Sequence, residues 1–380
     1  DIFYLSGVDQ EESILLLFPN ALDEKHKEIL FVTETNDHIA IWEGAKLNKE
    51  QATKTSGIKT VYWLSDFDKI FFDLMTEAET IYFNTNEHYR QSVQLESRED
   101  RFIKSVKDKF PAHKWAKSFP ILQSIRGVKE SQELELIQTA CNITEKGFRR
   151  ILGFVKPGVM EYEIEAEFMH EFLRNRSKGF AYTPIIGSGY NACVLHYIEN
   201  NQQCKDGDML LLDVGAEYAN YSSDMTRTIP INGRFTDRQR AVYNAVYRVK
   251  EAATNMLVPG TIWAEYHKEV GKLMTSELLG LGLIDKADVQ KEDKKWPAYK
   301  KYFMHGTSHH MGLDTHDYGA LKTPMKANMV FTVEPGIYIP EEKMGIRLED
   351  DVVIQETGSP FNLMSNIPIL VEEIEDLMNQ

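Results

Sequence analysis

Two separated parts of this 380-residue chain repeat one plan: two amphipathic helical stretches, then a pair of apolar strands interrupted by carboxylates. The first helical stretch begins near Ser131, with Leu134, Ile137, Cys141, Thr144, Phe148, Ile151 and Leu152 at three- and four-residue spacing. A second is expected over about 162–175, before strands at 183–186, 208–215 and 223–230. The plan then recurs, with helices near 236–257 and 263–279 and strands at 329–338, 346–355 and 367–371. A chain that must bury two such sets reads as α+β with internal duplication.

The first part of the chain differs. Short strands are expected at 1–8, 12–18, 28–32 and 38–42, where β-branched and aromatic residues sit between polar turns. Residues 66–118 combine a helix at 66–75, a strand at 80–83 and a charged segment ending at Pro111. The expectation is a small N-terminal α/β domain over 1–118 and a larger domain over 119–380, with 113–126 as the linker. Residues 291–301 alternate charge around Pro297 and read as a solvated loop.

Composition narrows the function. With 43 Lys and Arg against 58 Asp and Glu, the net charge of −15 argues against a nucleic-acid binder. Apolar runs such as 14–18 fall far short of the about 20 residues of a membrane span. Three scattered cysteines form neither a disulfide framework nor a zinc ribbon, so a cytoplasmic location is expected. The sequence opens at Asp1 without Met, and a preceding segment is expected to be missing from it.

Three constellations carry chemistry. Asp213 ends the apolar run 209–212 and Asp224 lies near the start of the next strand. If the strands form a hairpin turning near Tyr218-Ala219, the two carboxylates lie opposite one another, and a bound cation would let both stay ionised. Taken singly, each is equally an ordinary turn or strand-end aspartate. Glu334 follows the apolar run 329–333, and Glu349 interrupts another strand. A salt bridge to Arg347 would satisfy one of these glutamates but not both. Four of the 11 histidines, His305, His309, His310 and His316, crowd into a glycine-broken stretch that lacks the HExxH pattern. His196 is a fifth candidate with no meaning alone. Four carboxylates and an imidazole can hold two divalent ions, and an oxygen-rich set without thiolate suits Mn²⁺, Fe²⁺, Co²⁺ or Zn²⁺. Gly187-Ser-Gly189-Tyr-Asn-Ala192 fits G-x-G-x-x-A, but no crossover helix is expected after it, so a dinucleotide site is set aside.

Six ordered motifs resemble the pita-bread metallopeptidases, in the branch of Xaa-Pro aminopeptidase (aminopeptidase P) and prolidase. They are Asp213-Val-Gly215, Ser223-Asp224-Met-Thr-Arg-Thr, His305-Gly-Thr-Ser-His309, Leu313-Asp-Thr-His316-Asp317, Val333-Glu334-Pro-Gly-Ile-Tyr338 and Gly345-Ile-Arg347-Leu-Glu349-Asp-Asp351. Asp1-Ile-Phe-Tyr-Leu-Ser-Gly-Val and Ile41-Trp42-Glu-Gly carry the likeness more weakly into the first domain. The resemblance implies a creatinase-like N-terminal domain and a catalytic domain with pseudo-two-fold symmetry. It implies two metal ions, manganese by expectation, on Asp213, Asp224, His309, Glu334 and Glu349, with Asp224 and Glu349 bridging. A metal-bridging hydroxide would then attack the Xaa-Pro bond of peptides with proline at position two. Glu334 would shuttle the proton, His316 would stabilise the oxyanion and His196 would meet the scissile nitrogen. His305, Tyr338 and Arg347 would line the proline side of the cleft, and Trp42 would add an aromatic wall, reaching a neighbouring copy in a homo-oligomer of two or four chains.

Prolidase, acting on Xaa-Pro dipeptides, shares these ligands and is the alternative. The Ser308-His309-His310 wording looks more like the bacterial aminopeptidase. A metal-free pita-bread binding module is the remote alternative, disfavoured because all five ligand positions are filled.

Overall fold

The structure, a computed structural model, describes residues 1–85, 87, 95–293 and 295–380. The chain forms two compact units, Asp1–Leu122 and Gln123–Gln380. Part of the charged segment expected before Pro111, and Lys294 of the expected 291–301 loop, lie outside the described residues.

In the first unit, Ile14–Leu17 pairs antiparallel with Glu28–Val32, which pairs parallel with Thr60–Trp63. Thr80–Phe83 and Lys114–Lys117 form a second, parallel pair. Phe31 and Phe67 meet edge to face at 5.1 Å in a core that includes Ile29, Leu74 and Met75. Two expected strands are helices instead. Residues 37–43 begin at Asn36, whose side chain accepts from the backbone N–H groups of His38 and Ile39, and stop at Gly44. Residues 2–6 stop at Gly7, which takes the left-handed conformation at φ 69°. Local caps decided both against the apolar composition. The expected linker is also structured, as the strand Lys114–Lys117 and the helix Phe119–Arg126.

The second unit repeats helix pairs and hairpins. Ser131–Phe154 and Glu161–Arg174 precede one hairpin; Asp237–Asn255 and Trp263–Gly280 precede the other. In the first hairpin Met209–Val214 pairs with Met225–Pro230, and Ala216–Tyr218 with Tyr221–Ser222. The turn is the two-residue Ala219-Asn220, both with positive φ, as a tight hairpin turn of this twist requires. In the second hairpin Val330–Val333 pairs with Asp350–Val353, and Gly336–Ile339 with Met344–Arg347.

Each hairpin therefore stops pairing and resumes in the same register. The first stops where Gly215 faces Asp224, the second where Glu334 faces Glu349. The long strands expected at 208–215, 223–230, 329–338 and 346–355 are broken at these rungs. An isolated bridge, Thr226 to Glu349, joins the two hairpins there. The strand expected at 367–371 is absent: Pro368 and Ile369 give their carbonyls to Arg227 Nε (3.0 Å) and the Tyr243 hydroxyl (2.7 Å). A helix, Val371–Met378, follows. After Ile185–Ser188 comes a short 3₁₀ turn, Gly189–Cys193, and no crossover helix.

Candidate metal centre

The interrupted rungs carry Asp224, Glu334 and Glu349, and Asp213 lies two residues before Gly215 of the first rung. Asp213 faces Thr226 across the first hairpin, not Asp224 as expected. Asp224 lies two residues from Thr226, hence on the same face and diagonal to Asp213. The offset follows from the turn, which falls at Ala219-Asn220, one residue later than expected, and the Asp224 N–H donates to Asp351 Oδ2 at 2.9 Å. The two carboxylates still converge, since the Tyr182 hydroxyl reaches Asp213 Oδ1 at 2.7 Å and Asp224 Oδ1 at 2.6 Å.

Gly215 makes this geometry possible. A Cβ there would sit 1.8 Å from the Ser223 carbonyl oxygen. Across the junction, the Thr226 hydroxyl donates to Glu349 Oε2 at 2.6 Å. Arg347 does not pair with Glu334 or Glu349. Its guanidinium donates instead to Asp213 Oδ2, to the Tyr338 hydroxyl (2.7 Å) and to Thr226 Oγ1 (3.1 Å).

The histidine-rich stretch lies along the second hairpin. Thr332 N–H donates to the His309 carbonyl (3.0 Å), and Glu334 N–H to that of Thr307 (2.8 Å). His309 Nδ1 sits 3.0 Å from the His310 carbonyl. A carbonyl only accepts, so Nδ1 carries the proton and Nε2 is turned to the acids, 3.4 Å from Asp224 Oδ2 and 3.9 Å from Glu334 Oε1. Asp224, His309 and Glu349 offer ligand atoms within 4.8 Å of one another. The His316 ring lies 4.3 Å from that of His309.

His305 belongs to a relay: Arg347 donates to Tyr338, whose hydroxyl lies 2.8 Å from His305 Nε2, while His305 Nδ1 meets the Gly306 carbonyl at 2.7 Å. Burial, then the charge of Arg347, pushes His305 down to about 3, so its imidazole is neutral. His196, exposed on the turn after Gly189–Cys193, adds to that same depression. Trp42 lies in the first unit on helix Asp37–Glu43, with its indole exposed.

The acids cannot all ionise without a cation. Burial, and then the charge of Asp224, lifts Glu349 well above the carboxylate range. Burial raises Glu334 to about 7 against the opposing pull of His309 and Arg347, and it raises Asp213 against Arg347. Burial works to lower His309, but its bond to Asp224 and the charge of Glu334 outweigh it. Anionic oxygens, one imidazole nitrogen turned inward with its other nitrogen on a carbonyl, and a hydroxyl or guanidinium behind most acids make a donor set that fits divalent metal.

The sequence reading missed Tyr182, Thr226 and Asp351. Nothing in Ala181-Tyr-Thr-Pro184 signals that a tyrosine reaches two acids.

Residues 135–356 match Metallopeptidase family M24, and residues 1–82 match the aminopeptidase P N-terminal domain. An Xaa-Pro aminopeptidase of Escherichia coli (strain K12) is 34% identical over 392 residues, covering 100% of this chain and 88% of that protein. The chain belongs to metallopeptidase family M24, in its Xaa-Pro aminopeptidase branch.

Other members of M24 agree. Xaa-Pro aminopeptidase 3 of Homo sapiens is 30% identical over 393 residues, covering 100% of this chain and 76% of that one. Zinc-substituted E. coli aminopeptidase P in complex with product superposes with a TM-score of 0.88 at 32% identity, over 100% of this chain and 88% of that chain. Proline aminopeptidase P II from Yersinia pestis gives 0.87 at 31%, over 100% and 89%. The α+β class and two-part plan expected from the sequence hold, and membership of M24 implies divalent metal. No helix among the described residues is long and apolar enough to cross a membrane.

Proposed function

We propose that this M24 chain is a dinuclear Xaa-Pro aminopeptidase, removing the first residue from peptides with proline second. The observation that carries the dinuclear reading is the set of four acids and His309 converging where two interrupted hairpins meet. Asp213, Asp224, His309, Glu334 and Glu349 would hold two divalent ions, manganese by preference, with zinc, cobalt or iron as alternatives. Such a pair lowers the pKa of a shared water toward neutrality.

The chain's own residues supply the rest. Glu334, beside His309 at the edge of the acid cluster, is placed to take the attacking water's proton and pass it on. His316, beside His309, supplies a donor for the oxyanion. His196 meets the scissile nitrogen, which in an Xaa-Pro bond carries no hydrogen. His305 lines the proline side as a neutral imidazole held by Tyr338. Tyr338 and Arg347 are buried with their polar atoms engaged, so they brace His305 and Asp213. The exposed Trp42 is suited to wall a neighbouring copy's cleft in a dimer or tetramer, and three free cysteines suit a cytoplasmic enzyme.

Metal-loaded protein offered Xaa-Pro and Xaa-Pro-Yaa-Zaa side by side tests the reading. Cleavage of the longer peptide supports it; turnover of the dipeptide alone makes the protein a prolidase.

A further inference from the structure

Glu161 is a carboxylate buried to zero exposure, with no Lys, Arg or His paired to it among the described residues. An anion so placed is costly unless hydrogen bonds replace its hydration. Four do. Oε1 accepts from the Ser188 N–H (2.8 Å) and hydroxyl (2.7 Å), and Oε2 accepts from the Tyr197 hydroxyl (2.7 Å) and the Gln202 N–H (2.9 Å).

These donors have a pattern. Ser188 and Gln202 are the two ends of the loop that carries His196, and Tyr197 is the residue after it. One carboxylate thus ties both ends and the middle of a loop whose functional side chain is itself exposed. Glu161 can do so because it opens the helix Glu161–Arg174, and its own N–H donates to the Gln202 carbonyl at 3.0 Å. The far side of the loop is also fixed. The Ala192 carbonyl lies against Gly345, where a Cβ would come within 2.0 Å, and the Tyr197 ring packs with Ala192, Leu211 and Tyr338.

We propose that Glu161 is a positioning residue for His196, acting on the leaving-group side through the loop and not through the metals. The proposal rests on the role given to His196 above. Glutamine keeps the shape of Glu161 but turns an amide N–H₂ toward one pair of donors, and the Gln202 and Ser188 N–H groups cannot reverse to accept. Half of the clamp fails, and His196 loses its fixed approach while the acids stay in place.

The test is a double-mutant cycle on the metal-loaded enzyme. His196→Ala should lower kcat/KM by about 10²–10³-fold, as removal of a hydrogen-bonding group at a reacting atom does. Glu161→Gln should lower it by about 10–100-fold, chiefly through kcat, with metal per chain unchanged. Introduced into His196→Ala, Glu161→Gln should cost nothing further. Tyr197→Phe, which keeps the packed ring and removes one donor, should show a smaller loss of the same kind, so a folding defect in Glu161→Gln cannot hide the answer. A full additional loss in the His196→Ala background, or wild-type kcat/KM in both clamp variants, overturns the proposal while leaving His196 its role. A neutral His196→Ala removes the role of His196, and the positioning assignment falls with it.

Discussion

Glu334 and Glu349 face one another on the rung where the second hairpin stops pairing. Among the described residues neither carboxylate is paired with a lysine or arginine, since the Arg347 guanidinium is turned to Asp213 and Arg227 reaches only the Glu349 carbonyl. Two facing glutamates, Glu349 buried and Glu334 partly so, are a demand for a cation. Glu349→Gln should therefore reduce bound metal and abolish turnover, with affinity lowered by more than the about 10–100-fold typical of losing a supporting group. Metal analysis of purified protein checks it; unchanged stoichiometry and affinity would remove Glu349 from the site.

Tyr182→Phe isolates the support of the first hairpin. The hydroxyl bridges Asp213 and Asp224, and its loss leaves two acids to repel with less to orient them. The expected outcome is a metal affinity reduced by about 10–100-fold with little change in thermal stability. Metal titration alongside thermal unfolding separates the two.

The metal-free protein should lose stability as pH rises. Glu334 sits near 7 when folded, against about 4.3 for an ordinary glutamate, so between those values the folded state binds more protons than the unfolded. Its contribution is favourable below about 4 and is lost as pH rises through about 7. Asp213 and Glu349 act in the same direction. Chelated protein should therefore melt lower at about pH 8 than at about pH 6, and metal loading should shrink that gap. Melting temperatures that rise together with pH would contradict the assignment.

Asp350 gives the opposite sign. Burial alone would raise its pKa, but Arg227 and Lys250 hold it well below the carboxylate range. Its contribution is present above about 3.9 and is lost as pH falls through the lowered folded value. Lys250→Met should cost about 3 kcal/mol at neutral pH, the low end for a broken buried pair because Arg227 remains. It should also flatten the acid limb of the stability curve, which denaturant melts at about pH 3 and 7 would show.

Gly215→Ala tests the close approach. The new methyl meets the Ser223 carbonyl, a backbone atom that cannot rotate away, so the strands must part. A loss of at least the about 1–3 kcal/mol of ordinary overpacking is expected, together with weakened metal binding because Asp213 and Asp224 flank the spot. Wild-type affinity in a folded variant would show that the approach does not set the ligand geometry.

Part of the site was legible because Asp213 and Glu334 close apolar runs, where a carboxylate is costly without a partner, and because the histidines cluster. Tyr182 and Thr226 were not, since a neutral hydroxyl in such a run carries no penalty to notice. The four hairpin strands were found, but their interruptions were hidden because pairing resumes in the same register. Residues 2–6 and 37–43 were misread as strands for a simpler reason. Segments of only five to seven residues fit either state, and the deciding groups, Gly7 and Asn36, lie just outside them. Nothing in the sequence marks Glu161, because only the fold brings Ser188, Tyr197 and Gln202 to it.

The single register kept across each interruption also limits how this chain can change in length. A one-residue insertion in any of the four strands would turn every side chain beyond it to the opposite face, carrying Asp224 or Glu349 out of the cluster. The tips at Ala219-Asn220 and Pro340–Glu342 lie past the last paired rung and can lengthen without that penalty. Insertions and deletions among functional homologues should therefore gather at the tips and be absent from the rungs.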